Sequence, residues 1–313
     1  MWVLISLAAG TLQTARNGLA RSLSGVLPAS LLSWSRFAFN LPFSLTLLAI
    51  VYLVGPHGPP TLSLRFFVLG LIGGIGQILG NVALINAFKL GTFAQAIVVH
   101  KTEVALAAVT GFLFFSEVPP VLGWIGILIS AVGVAMIGYA SARAKQLDRR
   151  VASDDRPAEG LLVANKGTGL ALASAGLLVV AGFGIQRATL ELANRNPTID
   201  GRFGLAATTL FHVTWMEVVV LTVWLAARER AALAEVPNHL PRLAAIGFTS
   251  FGGSLGWFWA FSLSLVAYVK AVGQIESVLS VLLAIYLWKE QRTRDQLPGI
   301  ALTIVGIFLI VLS

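Results

Sequence analysis

The sequence predicts an all-α integral membrane protein of ten transmembrane helices, arranged as two inverted five-helix repeats around a central cavity. Three observations lead to this fold class. The 313-residue chain is 57% hydrophobic and only 12% charged, with a mean hydropathy of +0.83, whereas soluble domains carry about 25% charged residues. It contains ten apolar runs long enough to cross a bilayer, which takes about 20 residues. Finally, its two halves repeat each other.

The repeat has a constant offset of 173 positions, so that residues 88–133 correspond to residues 261–306. The matched pairs include Phe88 with Phe261, Glu103 with Glu276, Glu117 with Glu290, Gly126 with Gly299, Gly133 with Gly306 and, near the start of each half, Gln13 with Gln186. Because each half holds five runs, an odd number, the second half must be inverted relative to the first. We therefore predict a first repeat over 1–140, a polar linker over 141–167 and a second repeat over 168–313.

The ten apolar runs lie near residues 2–22, 29–54, 64–88, 93–115, 121–140, 168–192, 205–226, 242–262, 267–288 and 297–313. The first run lacks the charged start of a signal peptide and matches its counterpart in the second half, so we expect a helix there. Pro119 and Pro120 mark the boundary between the fourth and fifth helices, because proline cannot donate an intrahelical hydrogen bond. Glycines in the third and eighth runs form small-residue stripes that let helices pack closely in lipid.

Composition and motifs exclude several classes of protein. The chain has no cysteine, so it offers no disulfide, thiol nucleophile or thiolate metal site. Its four histidines are scattered without ligand spacing, and the sequence contains neither HExxH nor GxSxG. We therefore expect no enzymatic activity, no metal and no cofactor. The net charge of +8 suggests nucleic-acid binding at first sight, but its distribution favours a different explanation.

The basic residues are distributed unevenly around the predicted helices. Five of the 22 lie within helices, fourteen fall in loops on one side, and only Arg65, Arg195 and Arg202 fall on the other side. Cytoplasmic loops carry an excess of lysine and arginine, so the fourteen mark the cytoplasmic side. The sequence thus predicts a cytoplasmic 141–167 linker, both termini outside and no nucleic-acid partner. The absence of cysteine and the size of the chain suit a bacterial inner membrane.

Charged side chains within the predicted helices are the candidate functional residues, because an ionised group in hydrocarbon must face a cavity or a partner. Most of them lie on two equivalent helices, the fourth and the ninth: His100, Lys101 and Glu103, and Lys270, Gln274 and Glu276. The sixth helix adds Gln186 and Arg187. The second and seventh helices hold a looser match, in which Trp34 and Arg36 correspond to Trp215 and Glu217.

These residues divide into two predicted sets. The substrate-binding set is Gln13, Gln186, Lys101, Lys270 and Gln274. Its lysines would neutralise an anion and its amides would orient it, since an amide in lipid needs a partner or water. The second set is Glu103, Glu276, His100 and Arg187, for which coupling to protons and a structural role both remain open. Five basic against three acidic intramembrane residues favour a substrate with a carboxylate or a phosphate.

Two segments carry a family resemblance: TEVALAAVTGFLFFSEVPPVLGWIGILISAVGV at 102–134 and IESVLSVLLAIYLWKEQRTRDQLPGIALTIVGI at 275–307. In each, an apolar helix ends at a glutamate and is followed by a loop and a glycine-spaced last helix. The chain resembles, over nearly its whole length, the EamA-type ten-helix members of the drug/metabolite transporter superfamily. Many members have a proline directly after the first glutamate of the motif. Here Val104 and Ser277 stand there, so the expected kink lacks its proline.

The resemblance implies a secondary active transporter that moves a small metabolite by alternating access between two inverted bundles. We expect an exporter of a small polar metabolite, either amino-acid-like or an organic anion, with protons as a candidate coupling ion. The alternatives are a multidrug or cation exporter, a lipid-precursor flippase and a non-transporting membrane scaffold. The expected partners are the substrate and the lipid bilayer, and the protein is expected to be a monomer or a homodimer.

Overall fold

The computed structural model describes residues 1–23, 25–55, 58–90, 99–151, 166–199, 201–279 and 294–313. All regular secondary structure in these residues is helical. The α-helices are α1 (Trp2–Leu23), α2 (Ala29–Ala38), α3 (Leu41–Val54), α4 (Leu64–Leu90), α5 (Glu103–Phe115), α6 (Val121–Val151), α7 (Lys166–Arg195), α8 (Arg202–Arg228), α9 (Arg230–Ala234), α10 (Leu240–Leu263), α11 (Val266–Gly273) and α12 (Leu297–Leu312). Residues 275–279 are also helical, and two short 3₁₀ helices span Pro237–His239 and Arg294–Gln296.

Five stretches of the described chain are long and apolar enough to cross a membrane. They are Ala29–Val54, Leu64–Ala87, Val121–Ala140, Lys166–Arg195 and Arg202–Arg228. Each coincides with a run predicted from the sequence. The helices α5 and α12 are apolar but shorter, with 13 and 16 residues, while α1 and α10 occupy two further predicted runs. The 280–288 part of the ninth predicted run lies outside the described residues.

Proline and a left-handed residue fix several helix ends. The run 29–54 is two helices rather than one, because Pro42 stands at the start of α3 and the chain turns at Phe39 and Asn40. The helix α5 ends at Ser116, which has a left-handed backbone with φ of 55°. The amide of Glu117 then donates to the carbonyl oxygen of Gly111, 3.0 Å away. Pro119 and Pro120 follow in the loop before α6.

The most extensive helix packing joins the first half of the chain to the second. Helix α4 packs along α7, α1 along α10 and α6 along α12, while α8 contacts α2, α3, α4 and α10. The predicted glycine stripes lie at these contacts. A Cβ on Gly76 of α4 would lie 2.9 Å from the carbonyl oxygen of Leu177, and one on Gly256 of α10 would lie 2.8 Å from the Cβ of Ala9. Close helix packing is therefore the role of these glycines.

Apolar side chains cover the outside of the bundle, and polar ones are gathered inside. Large hydrophobic residues such as Leu53 and Phe114 are 84% and 75% exposed. Buried polar side chains include Gln77, His100, Lys101, Gln186, Glu217 and Gln274. An exterior this apolar is suited to lipid rather than water. The buried polar groups, by contrast, need partners or a cavity inside the bundle.

Candidate functional site

Two breaks in helices place charged side chains at the centre of the bundle. The chain makes a turn at Lys101 and Thr102 before α5 begins at Glu103. It makes a second turn at Gln274, between α11 and the helical residues 275–279. Position 274 is the repeat equivalent of position 101. Because α5 begins at Glu103, its carboxylate lies in the first turn of a helix, where the helix dipole favours a negative charge.

The helix breaks border a cavity of about 100 Å³. Its lining contains four cationic side chains and two carboxylates: Arg16, Arg36, Lys101, Lys270, Glu103 and Glu276. Gln13, Gln77, Asn81, His100 and Ser254 add polar groups, and Trp257, Phe258 and Phe261 form an aromatic wall. Binding pockets for drug-sized ligands measure about 300–1,000 Å³. The cavity in this conformation is therefore sized for a small ligand.

Two ion pairs cross from one half of the chain to the other inside this cavity. The ammonium of Lys101 contacts the carboxylate of Glu276, and the ammonium of Lys270 lies 3.2 Å from an oxygen of Glu103. All four side chains are largely buried. Since breaking a buried pair leaves an uncompensated charge, these contacts restrain both lysines. Each glutamate predicted from the repeat is thus held by a lysine of the opposite half.

The amide of Gln13 connects one ion pair to the aromatic wall. Its nitrogen donates to the second oxygen of Glu276 at 2.7 Å, and its oxygen accepts from the indole N–H of Trp257 at 2.9 Å. On the opposite side, the Nδ1 of His100 lies 3.3 Å from the hydroxyl oxygen of Ser174. The structure therefore brings six of the predicted residues together around the cavity: Gln13, His100, Lys101, Glu103, Lys270 and Glu276.

Gln186 and Arg187 form a separate cluster at the end of α5. The amide of Gln186 donates to the carbonyl oxygen of Ser264 at 3.2 Å. The guanidinium of Arg187 lies 3.7 Å from Glu117 and stacks over the ring of Phe115 at 4.5 Å. Neither residue lines the cavity described above. These two predicted residues therefore join α5, α7 and the α10–α11 turn.

Gln274 is the third predicted residue outside the cavity lining. It is almost completely buried, and neither of its side-chain polar atoms has a hydrogen-bond partner among the described residues. The sequence prediction placed Gln274 and Lys270 in the same substrate-binding set, but Lys270 lines the cavity and Gln274 does not. The turn at Gln274 changes the direction of the following side chains, and Glu276 lines the cavity in its place.

Two arginines of the cavity were not among the predicted site residues. Arg16 on α1 donates to the amide oxygen of Asn17, and Arg36 on α2 donates to the amide oxygen of Gln77 at 3.1 Å. Both guanidinium groups line the same cavity. No carboxylate of the described residues forms an ion pair with either one. Their positive charges therefore differ from those of the two lysines, which are already paired.

Glu217 is a buried acid beside this arginine pair. Its side chain on α8 is only 3% exposed, and its Oε1 has no hydrogen-bond partner among the described residues. Gly74 of α4 makes room for it, since a Cβ at that position would lie 3.0 Å from the Cγ of Glu217. Arg36 donates to Gln77, which stands one turn after Gly74 on the same helix. The loose match of Trp34 and Arg36 to Trp215 and Glu217 singled out both residues in the sequence.

Comparisons with known proteins agree with this arrangement. Residues 201–312 match the model of the EamA-like transporter family, part of the drug/metabolite transporter superfamily. The match supports the family resemblance drawn from the sequence over the last third of the chain. No curated protein matches the chain. A solved crystal structure of a protein aligns with 99% of this chain and 96% of its own, with a TM-score of 0.67 and 17% identity, a likeness that shows the fold alone.

The family match and the apolar helices together define the class of this protein. It is an integral, multi-pass membrane protein by its apolar helices, and its last third is similar to a family of transporters. Residues 201–312 are the EamA-like part of the chain. The family is one of transporters, consistent with the absence of enzyme motifs in the sequence.

Proposed function

We propose that this protein is a secondary transporter of a small organic anion, which it carries by alternating access. The observation that carries the proposal is the composition of the cavity, where four cationic side chains face two carboxylates. The lysines already neutralise those carboxylates. The positive charge left over belongs to Arg16 and Arg36. Guanidinium groups bind carboxylates and phosphates in a forked geometry, so this pair is the anion site of the proposal.

The lysine–glutamate pairs take a different role from the one predicted from the sequence. Lys101 and Lys270 hold the two broken helices against each other, while the arginines bind the anion. Gln77 and Asn81 on α4 are the neighbouring amides that would orient it. The aromatic wall around Trp257 would cover the apolar part of the substrate.

Contacts between glycines support the inverted-repeat part of the proposal. Gly126 corresponds to Gly299 in the repeat, and Gly133 to Gly306. The contacts between α6 and α12 are exchanged: Gly126 approaches Gly306, and Gly133 approaches Gly299. A two-fold axis relating two repeats requires this exchange, as in a symmetric interface. The exchange supports the proposal of ten helices in two inverted bundles, with one gate opening as the other closes.

The orientation in the membrane also belongs to the proposal. The fourteen-to-three distribution of loop basic residues favours a cytoplasmic 141–167 linker. Within this orientation we propose export across a bacterial inner membrane. The direction of transport is measured by comparing substrate uptake into inside-out vesicles with uptake into right-side-out vesicles.

Ligand-induced thermal stabilisation tests the anion site, because a ligand that binds the folded state raises its melting temperature. The purified protein is screened against lactate, amino acids, inorganic phosphate, lipophilic cations and a lipid-linked precursor. We expect stabilisation by small anions, and its loss in Arg16→Gln and Arg36→Lys. Arg65→Gln is the matched control, since that side chain is 76% exposed. Stabilisation by lipophilic cations or lipids alone would contradict the proposal.

A further inference from the structure

We infer that Glu217 is the proton site of this transporter and that a proton and the substrate anion bind cooperatively through Arg36. The inference rests on the proposed function, since it needs an anion to bind at Arg36. It departs from the sequence prediction, which placed proton coupling at Glu103, Glu276 or His100.

Glu103 and Glu276 are poor proton acceptors in this conformation because each is held by an ammonium. Lys270 lies 3.2 Å from Glu103, and Lys101 contacts Glu276, which also accepts from Gln13. Protonating either carboxylate would leave a buried lysine without its counter-charge. That loss is large for a buried pair, so the two glutamates are expected to stay ionised.

Glu217 has the opposite surroundings. It forms no ion pair within 4.0 Å, and one of its oxygens is buried without a partner among the described residues. A carboxylate buried in this way costs several kcal/mol more than a neutral carboxylic acid. Protonating Glu217 therefore breaks no ion pair, in contrast to protonating Glu103 or Glu276.

Arg36 links Glu217 to the cavity. Its guanidinium lines the cavity and donates to Gln77 on α4. Gly74, one turn earlier on α4, lies against the side chain of Glu217, so the two opposite charges flank neighbouring turns of one helix. An anion placed on Arg36 adds negative charge near Glu217, which favours the protonated acid. Conversely, protonating Glu217 removes its competition for Arg36 and strengthens anion binding. By thermodynamic reciprocity, the proton and the anion each raise the affinity for the other by the same factor.

The other charged groups on the elements packed against α8 do not oppose this assignment. Arg36, through Gln77, lies against the same stretch of α4 as Glu217. Three of the remaining groups form ion pairs elsewhere: Arg65 and Arg195 with Glu191, and Arg187 with Glu117. Others form hydrogen bonds: Tyr52 with Thr208, Glu229 with Ser30, and Arg230 and His212 with the carbonyl oxygens of Ala226 and Thr208. Arg242 and Lys166 are exposed. A change of charge at Glu217 therefore acts mainly on Arg36.

Calorimetric titration of the full-length protein in detergent with lactate tests the inference. Titrations in two buffers with different heats of ionisation count the protons taken up as lactate binds. We expect uptake of up to one proton, and a lactate affinity that rises by up to about tenfold per unit fall in pH while Glu217 is ionised in the free protein. Lactate itself stays ionised above about pH 6, so the dependence belongs to the protein.

Glu217→Gln imitates the protonated acid and keeps its shape. We expect this variant to bind lactate at least as tightly as the wild type at low pH, with no proton uptake and no pH dependence. Glu191→Gln is the matched control, because that carboxylate pairs with Arg195 outside the cavity, and it should behave like the wild type. A thermal melt of each variant confirms that it is folded.

The outcomes separate this inference from the proposed function. Lactate binding without proton uptake by the wild type overturns the inference and leaves the anion site standing. Uptake that persists in Glu217→Gln and disappears in Glu276→Gln also overturns it, and assigns the proton to a lysine-paired carboxylate. Binding of neither lactate nor inorganic phosphate to the wild type at any pH overturns both.

Discussion

The ammonium nitrogen of Lys270 on α11 lies 3.2 Å from a carboxylate oxygen of Glu103 on α5, across the two halves of the chain. Both side chains are largely buried. Replacing Lys270 by methionine would leave Glu103 as an unpaired buried charge. We expect the variant to lose about 3–5 kcal/mol of unfolding free energy, the cost of breaking a buried ion pair. Unfolding in detergent with increasing dodecyl sulfate measures this loss.

The double variant Lys270→Met with Glu103→Gln is the control for that experiment. Removing both charges leaves no unpaired ion, so the double variant should be more stable than Lys270→Met alone. Additive losses in the double-mutant cycle would show that the two side chains do not interact, and the ion pair would then have no structural role.

Gln13 is the second residue for which the structure makes a specific prediction. Its amide bridges Glu276 and the indole of Trp257. Gln13→Leu removes the amide and leaves both groups without this partner, which costs about 1–3 kcal/mol. Trp257→Phe removes one end of the same bridge, so the two substitutions should be less than additive. Strictly additive effects on the unfolding midpoint would contradict the bridge.

The sequence predicted which polar residues lie inside the bundle better than it predicted their partners. The repeat identified Glu103 and Glu276 as equivalent, yet each lysine that pairs with them corresponds to a different type of residue in the other half. Lys101 corresponds to Gln274, and Lys270 corresponds to Ile97. An ion pair between the two halves depends on how two helices are shifted along each other. The spacing of residues within one helix does not determine that shift.

The helical wheel failed where the helix itself is interrupted. Gln274 was predicted to face the cavity with Lys270, four residues earlier. The turn at Gln274 changes the phase of the side chains that follow, so the amide is buried elsewhere and Glu276 takes the cavity position. The absence of proline at Val104 and Ser277 gave no warning of these breaks. Arg36 was recognised from the sequence as an intramembrane charge, but the lack of an ion-pair partner at Arg16 and Arg36 is visible only in three dimensions.

Arg187 offers a contrast to Lys270. Its guanidinium is 3.7 Å from Glu117, and its side chain is 31% exposed. A partly exposed pair contributes at most about 1 kcal/mol, and stacking on Phe115 adds about 0.5–1 kcal/mol. Arg187→Gln should therefore lower the unfolding free energy by no more than about 2 kcal/mol. A loss as large as that of Lys270→Met would show that this cluster holds the bundle together more strongly than its exposure suggests.

The contact between α6 and α12 tolerates only glycine at position 133. A Cβ built on Gly133 would lie 2.5 Å from the backbone nitrogen of Thr303 and 2.7 Å from the carbonyl oxygen of Gly299. Backbone atoms cannot move aside as a flexible side chain can, so Gly133→Ala must push the two helices apart. We expect a loss of about 1–3 kcal/mol, as for other overpacked cores, measured by dodecyl sulfate titration.

Gly176→Ala is the matched control for that substitution. Gly176 lies within α7, and a Cβ there would meet no atom within 4 Å. Alanine has the higher helix propensity, by about 0.5–1 kcal/mol, so this variant should be as stable as the wild type or more so. Because Gly133 and Gly306 are equivalent in the repeat, Gly306→Ala should destabilise to a similar extent, since its Cβ would overlap the backbone nitrogen of Ser130. A stable Gly306→Ala variant alongside an unstable Gly133→Ala variant would argue against a two-fold axis between α6 and α12.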